Sequence, residues 1–312
     1  MVQLKQAIRN LSVDTPLSSS EIFNRIVKEV QEFLFRQGGF TAANWGDVLI
    51  DSINKVVSDH PNLFKLYHFL NHLLILMQTK RKDKLTSTEA LAYVQEYMKF
   101  WEPVSNKVTD NFIDAVDLTD ASVLLHGDNV LVHQLFKKLA DFDVRPNIYQ
   151  TVTRPTLEGK NQAKILAGLG FEISYIEDVT VGKFVSLIDV FISGADGIRK
   201  NNFINKAGTL MISLACERFK KPHYVLCDSR NIMNETESSP ELIRKLTAEP
   251  PKSAEKMWAF PPTGVIPISY YYDTTPSSII DKFVLEFGVF GPEQIEELDV
   301  SYPVSSLLDI SD

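Results

Sequence analysis

The first third of the chain carries apolar residues at the three- and four-residue spacing of amphipathic helices. Ser18-Ser-Ser-Glu21 has the sequence of a capping box, which begins helices, and apolar positions follow at helical intervals over residues 22–34. Thr86-Ser-Thr-Glu89 is a second capping box and predicts a helix that reaches Trp101. Because no strand-like alternation of any length occurs in this stretch, we predict a helical bundle domain at residues 1–115.

After about residue 116 the pattern changes to short β-branched and apolar runs separated by helical stretches. Strands that alternate with helices at this spacing predict a parallel sheet with helices on both faces. The predicted fold class is therefore α/β, with a Rossmann-like, doubly wound parallel sheet domain at residues 116–312 following the bundle. The predicted strands lie at 122–126, 147–151, 171–176, 189–193, 224–227 and 268–272. The predicted helices lie near 129–141, 157–169, 206–219 and 277–287.

Parallel sheets of this type bind ligands beyond the C-terminal ends of their strands. The loop after the second strand holds Arg154, followed by Pro155, and then Gly159 and Lys160 at the predicted start of a helix. A helix N-terminus offers free N–H groups, and arginine offers two parallel donors, so this loop is a candidate anion site. The alternative is an ordinary surface turn with solvated basic side chains.

Two further polar motifs follow the fourth predicted strand. Asp196 lies between small residues in Gly194-Ala-Asp-Gly-Ile, where a carboxylate could act as general acid or base, accept a hydroxyl group, or only form a turn. Asn205 and Lys206 precede a predicted helix, where the lysine could pair with a phosphate or a sugar oxyanion. The alternative for this pair is a helix start with Asn205 as its N-cap.

The sequence indicates neither a metal site nor a bound cofactor. His126-Gly127-Asp128-Asn129 ends the first predicted strand, and His133 is the only other metal-ligand candidate near it. Gly168 and Gly170 lack the third glycine of a dinucleotide fingerprint and follow a helix rather than a strand. We therefore predict no metal and no cofactor.

Charge and cysteine content narrow the class of protein. The 40 acidic and 32 basic residues give a net charge of −8, which disfavours binding to nucleic acids or anionic membranes. The most apolar run, residues 63–77, is too short and too polar to span a bilayer. Two cysteines without metal-type spacing are typical of a reducing compartment, and the N-terminus lacks the apolar core of a signal peptide. We expect a cytoplasmic protein.

Four motifs together resemble one known family. They are the Thr-Arg-Pro to Gly-Lys run at 153–160, Gly-Ala-Asp-Gly-Ile at 194–198, Ile-Asn-Lys-x-Gly-Thr at 204–209 and Tyr-Tyr-Asp-Thr-Thr-Pro at 271–276. Their order and spacing are similar to those of ribose-1,5-bisphosphate isomerase, methylthioribose-1-phosphate isomerase and the alpha, beta and delta subunits of initiation factor 2B. The resemblance covers about residues 115–312. It implies a helical bundle joined to a Rossmann-like sheet.

The resemblance also implies roles for individual residues. Asp196 matches the acidic catalytic residue of the isomerases, and Asn205 with Lys206 matches the pair that contacts the sugar phosphate. Three further positions fall in the loop that lines the same pocket: Arg154, Gly159 and Lys160. Asp273 matches the family's late acidic position.

One departure bears on catalysis. The isomerases carry a catalytic cysteine where this chain has Gly127, so Asp128, which follows it, or water would have to act as the substitute acid. A sugar phosphorylated on its C1 oxygen cannot open freely, so its ring oxygen must be protonated while another group rearranges C1 and C2. Loss of one acid or base costs roughly 10²–10⁴ in rate. The sequence therefore predicts a sugar-phosphate-binding protein with reduced catalysis.

Two alternatives stay open at this point. The first is an active aldose–ketose isomerase that uses Asp196 with Asp128 on a C1-phosphorylated pentose. The second is a regulatory subunit of an initiation factor 2B-like complex, whose pocket senses a ligand while its surfaces bind related subunits. The resemblance implies a phosphorylated sugar or nucleotide as ligand and a homo-oligomer, a dimer or larger, as the assembly.

Overall fold

A computed structural model describes residues 4, 17–249, 251–252, 257–298 and 300–308 of the 312-residue chain. Five helices lie between residue 17 and the first strand. They are α1 (Ser19–Arg36), α2 (Ala42–Asp59), α3 (Phe64–Thr79), α4 (Ser87–Trp101) and α5 (Val104–Ala115). Both predicted capping boxes are confirmed, because the hydroxyl groups of Ser18 and Thr86 each accept a hydrogen bond from the backbone of the glutamate three residues later. None of the described helices is long and apolar enough to cross a lipid bilayer.

Strands and helices alternate after α5. The strands are β1 (Ser122–His126), β2 (Asn147–Thr151), β3 (Ile173–Ile176), β4 (Val190–Gly194), β5 (Gly197–Arg199), β6 (Asn202–Lys206), β7 (His223–Leu226), β8 (Tyr272–Pro276), β9 (Lys282–Leu285) and β10 (Gly288–Phe290). The helices among them are α6 (Val130–Asp141), α7 (Gly159–Gly168), α8 (Val181–Phe184), α9 (Thr209–Phe219), α10 (Pro240–Thr247) and α11 (Pro292–Glu297).

Seven of the strands form the main sheet, in the order β10-β9-β7-β4-β1-β2-β3. All neighbouring pairs are parallel except β9 with the edge strand β10. Strands β5, β6 and β8 form a separate antiparallel sheet. The α/β fold class predicted from the sequence is confirmed, and the loops that follow β1, β2 and β4 leave the same edge of the parallel sheet.

Two elements predicted near the C-terminus are wrong. The strand predicted at 268–272 begins only at Tyr272, where β8 pairs with Lys206 of β6. The helix predicted at 277–287 is instead the buried strand β9, which pairs in parallel with β7. A short run of consecutive apolar residues such as Phe283-Val-Leu285 fits a buried strand and a buried helix equally well, so periodicity cannot separate them.

Two apolar cores meet between the helices and the sheet. Side chains from α1 to α4 form one core, and the C-terminal segment joins it through Tyr302 and Leu308. The second core surrounds β1, β2 and β4, and Val108 and Phe112 of α5 belong to it. Trp101 packs against both cores. The packing thus changes from one core to the other between α4 and α5, while the domain boundary at residue 115 stays a prediction.

Gly159 fits α7 closely against β2. A Cβ atom added at Gly159 would lie 2.0 Å from the backbone oxygen of Thr151 and 2.9 Å from side-chain atoms of Gln150 and Thr153. To relieve such a contact, the backbone of β2 or of α7 would have to move. The structure therefore explains glycine at this position by packing alone.

We predict that Gly159→Ala lowers the free energy of unfolding by about 1–3 kcal/mol, as overpacked sites do. Gly168→Ala, at the other end of α7, is the matched control because nothing lies within 4 Å of its added Cβ. Urea denaturation of both variants measures the difference. Equal stability of the two variants would contradict the packing account.

Candidate functional site

A cavity of about 480 Å³ lies between the helical part and the edge of the parallel sheet where strands end. Its walls come from α1, α3 and α4 on one side and from the residues that follow β1 and β4 on the other. Phe23, Leu66 and Trp101 make its apolar side, while the ends of β1, β4 and β6 supply polar groups. Binding sites for small molecules are typically concave, mostly apolar and of this size.

Lys206, the last residue of β6, is the centre of the polar wall. Its buried Nζ lies 3.3 Å from Oδ2 of Asp196 and 3.6 Å from Oε2 of Glu158, and it donates a hydrogen bond to Oγ of Ser19 at 2.7 Å. The ring of Tyr272 is 4.3 Å away. Burial alone would lower the pKa of Lys206, but the two carboxyl groups overcome burial and raise that pKa above its usual value, so the ammonium keeps its proton.

Glu158 is the polar residue of this wall that sequence reasoning missed. Burial raises the pKa of its carboxyl group to about 8, with the charges of Asp196 and Asp128 adding to the effect and Lys206 opposing it. Its Oε1 accepts a hydrogen bond from the backbone N–H of Asp128 at 3.2 Å, whereas Oε2 has no hydrogen-bond partner. A glutamate in a polar loop ordinarily faces solvent, so no signal in the sequence marks this one as buried.

A second charged group borders the cavity near the helices. Asp228 accepts hydrogen bonds from Nε and Nη2 of Arg230 at 2.8 and 2.7 Å, and from Nζ of Lys65 at 2.9 Å. Arg230 also stacks over the ring of Trp101 at 4.3 Å. Despite burial, these cations hold the pKa of Asp228 far below its usual value, while burial lowers the pKa of Lys65. Ligands bind beyond strand ends in such sheets, which includes the loop after β7, but no sequence motif marked a residue of this loop.

Asp128 lines the cavity beside the N-terminus of α6. Its Oδ2 accepts a hydrogen bond from Asn161 at 2.8 Å, and its Oδ1 is 2.7 Å from Nε2 of His133. Burial alone would raise the pKa of Asp128, but these partners hold it below its usual value. The neighbouring backbone N–H of Gly127 donates to Oγ1 of Thr153 at 2.9 Å, which fixes the loop after β1.

Asn205 and Asp273 support the position of Lys206. Asn205 lines the cavity and donates a hydrogen bond to Oγ1 of Thr209 at 3.1 Å. Asp273 lies on β8 and accepts hydrogen bonds from the backbone N–H groups of Gly208 and Leu210 at 2.7 and 3.2 Å. Asp273 therefore holds the first turn of α9 and lies outside the cavity lining.

The structure does not bring the basic residues of the loop after β2 to the cavity. Arg154 is exposed, with its Nε 3.3 Å from Glu177, and Lys160 is exposed on α7. Gly159, the first residue of α7, is buried against β2 and does not line the cavity. The loop contributes Glu158 instead. Whether Arg154, Gly159 and Lys160 bind a ligand stays a prediction.

Metal ligands are not clustered in the described part of the chain, where no group of three or more His, Cys, Asp or Glu side chains could hold an ion. His126 has both ring nitrogens engaged, Nδ1 with Oγ1 of Thr151 at 2.7 Å and Nε2 with the carbonyl oxygen of Ala207 at 3.0 Å. Burial lowers the pKa of this histidine, so it is a neutral part of the wall.

The arrangement can bind an anionic, hydroxyl-bearing molecule and move protons on it. Lys65 and Arg230 together carry one positive charge more than Asp228 neutralises. The carboxyl groups of Glu158 and Asp196 both lie near Nζ of Lys206, but their environments differ. Two carboxyl groups in different environments are typical of acid–base sites.

Comparisons with known proteins identify relatives of this chain. Ribose 1,5-bisphosphate isomerase of Archaeoglobus fulgidus is 24% identical over 243 residues, which are 76% of this chain and 74% of that protein. A crystal structure of the Pyrococcus horikoshii translation initiation factor eIF-2B has a TM-score of 0.75 at 17% identity, covering 93% of this chain and 97% of that one. The crystal structure of 5-methylthioribose 1-phosphate isomerase from the same organism has a TM-score of 0.73 at 17% identity, covering 94% and 85%.

The sequence model of the Initiation factor 2 subunit family matches residues 18–292. This match begins at the N-cap of α1 and ends in α11, so it includes the helices as well as the sheet. The resemblance inferred from four motifs is thereby confirmed and extended to the N-terminal half. The chain belongs to the Initiation factor 2 subunit family.

Proposed function

We propose that the cavity binds a phosphorylated sugar. The observation that carries this proposal is the buried Lys206, held between Asp196 and Glu158 in a cavity that Lys65 and Arg230 also line. Carboxyl groups accept and donate hydrogen bonds to sugar hydroxyl groups, and ammonium and guanidinium groups bind phosphate. A nucleotide monophosphate shares this chemistry and is the second ligand class that we propose.

Charge decides where the phosphate binds. Lys206 is balanced by Asp196, so that wall is close to neutral when Glu158 is protonated. Lys65 and Arg230 both pair directly with one carboxylate, that of Asp228, so two cations meet a single acidic partner there. We therefore place the phosphate beside Lys65 and Arg230, and the sugar ring beside the carboxyl groups.

The names of the relatives support this ligand class. One relative acts on ribose 1,5-bisphosphate and a structural neighbour acts on 5-methylthioribose 1-phosphate, both of which are phosphorylated pentoses. Gly127, in place of the family's cysteine, supports binding with reduced turnover. An active isomerase is the second candidate, and the carboxyl group of Glu158 next to Gly127 favours it.

A subunit role in translation initiation is a candidate of a different class. The family description and the eIF-2B structure with the same fold support it. We propose that the protein works in the cytoplasm in either case, which its two free, buried cysteines, Cys216 and Cys227, support. Co-purification of related subunits from cells would favour this candidate over the isomerase.

We predict that ribose 1,5-bisphosphate or 5-methylthioribose 1-phosphate at about 100 times its dissociation constant stabilises the fold by about 2.7 kcal/mol. Lys65→Met should weaken binding at least about 10-fold, because it removes one of the two cations that we place beside the phosphate. The fold should persist, since Arg230 still donates two hydrogen bonds to Asp228. Calorimetric titration measures the affinity.

Lys160→Met is the comparison for Lys65→Met, because Lys160 is an exposed lysine outside the cavity. Its affinity should equal that of the wild type. Loss of binding in Lys160→Met with normal binding in Lys65→Met would move the phosphate to the loop after β2. No thermal shift with either sugar phosphate or with nucleotide monophosphates at millimolar concentration would refute the site.

We also predict a two-fold symmetric homodimer at least. The helix α9 exposes Met211, Leu214 and Phe219, and exposed apolar groups of this kind mark association surfaces. Sedimentation should give about twice the chain mass of 35.3 kDa at micromolar concentration, and Leu214→Glu should shift it towards the monomer. Val179→Glu, at another exposed apolar residue, is the control. A single 35.3 kDa species for the wild type would refute the prediction.

A further inference from the structure

We propose that Glu158 is the proton donor of an aldose–ketose isomerisation in this cavity, with Asp196 as the proton acceptor on carbon. The inference rests on the proposed sugar-phosphate site and goes beyond binding. It names a catalytic acid in a chain whose sequence suggests that the acid is missing.

The Glu158 carboxyl group lies beside the backbone of Gly127. A Cβ atom built on Gly127 would lie 3.3 Å from Oε1 of Glu158. The carboxyl group therefore occupies the space that a side chain at position 127 would enter. The φ angle of Gly127 is +88°, a conformation that L-residues rarely adopt, so this position is built for glycine. The acid comes from the loop before α7 rather than from the loop after β1.

The surroundings of the Glu158 carboxyl group favour a protonated, donating oxygen. Oε1 of Glu158 accepts the backbone N–H of Asp128, while the buried Oε2 has no hydrogen-bond partner in the described structure. Burial raises the pKa of this carboxyl to about 8, so a proton on it persists at neutral pH. The Oε2 oxygen has no hydrogen-bond partner, and its neighbour Lys206, 3.6 Å away, is an ammonium group that cannot accept a proton, so the protonated oxygen can donate to a ligand atom in the cavity. The charged and titratable groups around it are Lys206, Asp196, Asp128 and Tyr272.

The other titratable groups in the cavity wall are poorer donors. The pKa of Asp128 is lowered, with Asn161 donating a hydrogen bond to its Oδ2 and Nε2 of His133 lying 2.7 Å from its Oδ1. His126 has both nitrogens engaged, and the pKa of Lys206 is raised so that it holds its proton. The substitute acid that the sequence suggested, Asp128, is thus less suited to donate than Glu158.

The proton transfers balance without any co-reactant. Glu158 gives its proton to the ring oxygen of a furanose phosphorylated on O1, and the bond from C1 to the ring oxygen breaks. Asp196 removes the proton from C2, and the electron pair of that C–H bond forms a C1=C2 double bond. The hydroxyl proton on O2 then passes to Glu158, while Asp196 returns its proton to C1. The product is the open-chain ketose 1-phosphate, and both carboxyl groups regain their starting states.

The test compares Glu158→Gln with wild type on ribose 1,5-bisphosphate and on 5-methylthioribose 1-phosphate. The amide keeps the size of the side chain and an acceptor for the N–H of Asp128, but it cannot donate an acidic proton. We expect wild-type turnover, a fall of roughly 10²–10⁴-fold in Glu158→Gln, and dissociation constants within about three-fold of each other. Glu158→Asp should retain part of the rate. Glu172→Gln, at an exposed carboxylate away from the cavity, should match wild type.

The dependence of kcat on pH separates proton donation from a structural role. The wild-type rate should hold below pH about 8 and fall above it, as Glu158 loses its proton, and this alkaline fall should vanish from the residual rate of Glu158→Gln. Full turnover by Glu158→Gln would overturn the inference. Wild type that binds either sugar without turnover between about pH 6 and 9 would overturn it too, while leaving the proposed binding function intact. Absence of binding would instead refute the proposed function.

Discussion

The structure depends on one buried ammonium group and the two carboxyl groups that surround it. Nζ of Lys206 contacts Asp196 after β4, Glu158 before α7 and the hydroxyl of Ser19 at the start of α1. Three segments far apart in sequence are thus fixed to the end of β6. Removing the Asp196 carboxylate would cost about 3–5 kcal/mol, because the buried ammonium group would lose its charged partner. The same contacts therefore join the helices to the sheet and define the polar wall of the cavity.

The requirement that every buried charge be paired also explains the second wall. Asp228 is buried under the helices, and its charge persists because Lys65 reaches it from α3 and Arg230 from the loop after β7. Backbone contacts reinforce this junction, where the N–H of Phe64 at the start of α3 donates to the carbonyl oxygen of Asp196 at 3.0 Å. The helical part thus completes a site that the sheet begins. A parallel sheet alone offers strand ends, but here a helix packed over them adds a cation, Lys65, to the cavity wall.

Sequence patterns predicted the elements well where chemistry and periodicity agree. The capping boxes at Ser18 and Thr86 and the strands β1 and β2 follow from local rules. Only the family resemblance related Asp196 to Lys206, and their side chains lie 3.3 Å apart. The strand β9 could not be predicted from local rules, because its buried apolar run has neither helical nor strand-like periodicity. The largest gap concerns the loop after β2. Its conspicuous Arg154 is exposed and its inconspicuous Glu158 is buried, and only tertiary packing decides which of them faces inward.

A crystal structure with ribose 1,5-bisphosphate or 5-methylthioribose 1-phosphate bound tests the central claim most directly. The account predicts a phosphate within hydrogen-bond distance of Lys65 and Arg230, and C1 and C2 of the sugar between the carboxyl groups of Glu158 and Asp196. A ligand held by Arg154 and Lys160 outside the cavity, with Glu158 untouched, would contradict it.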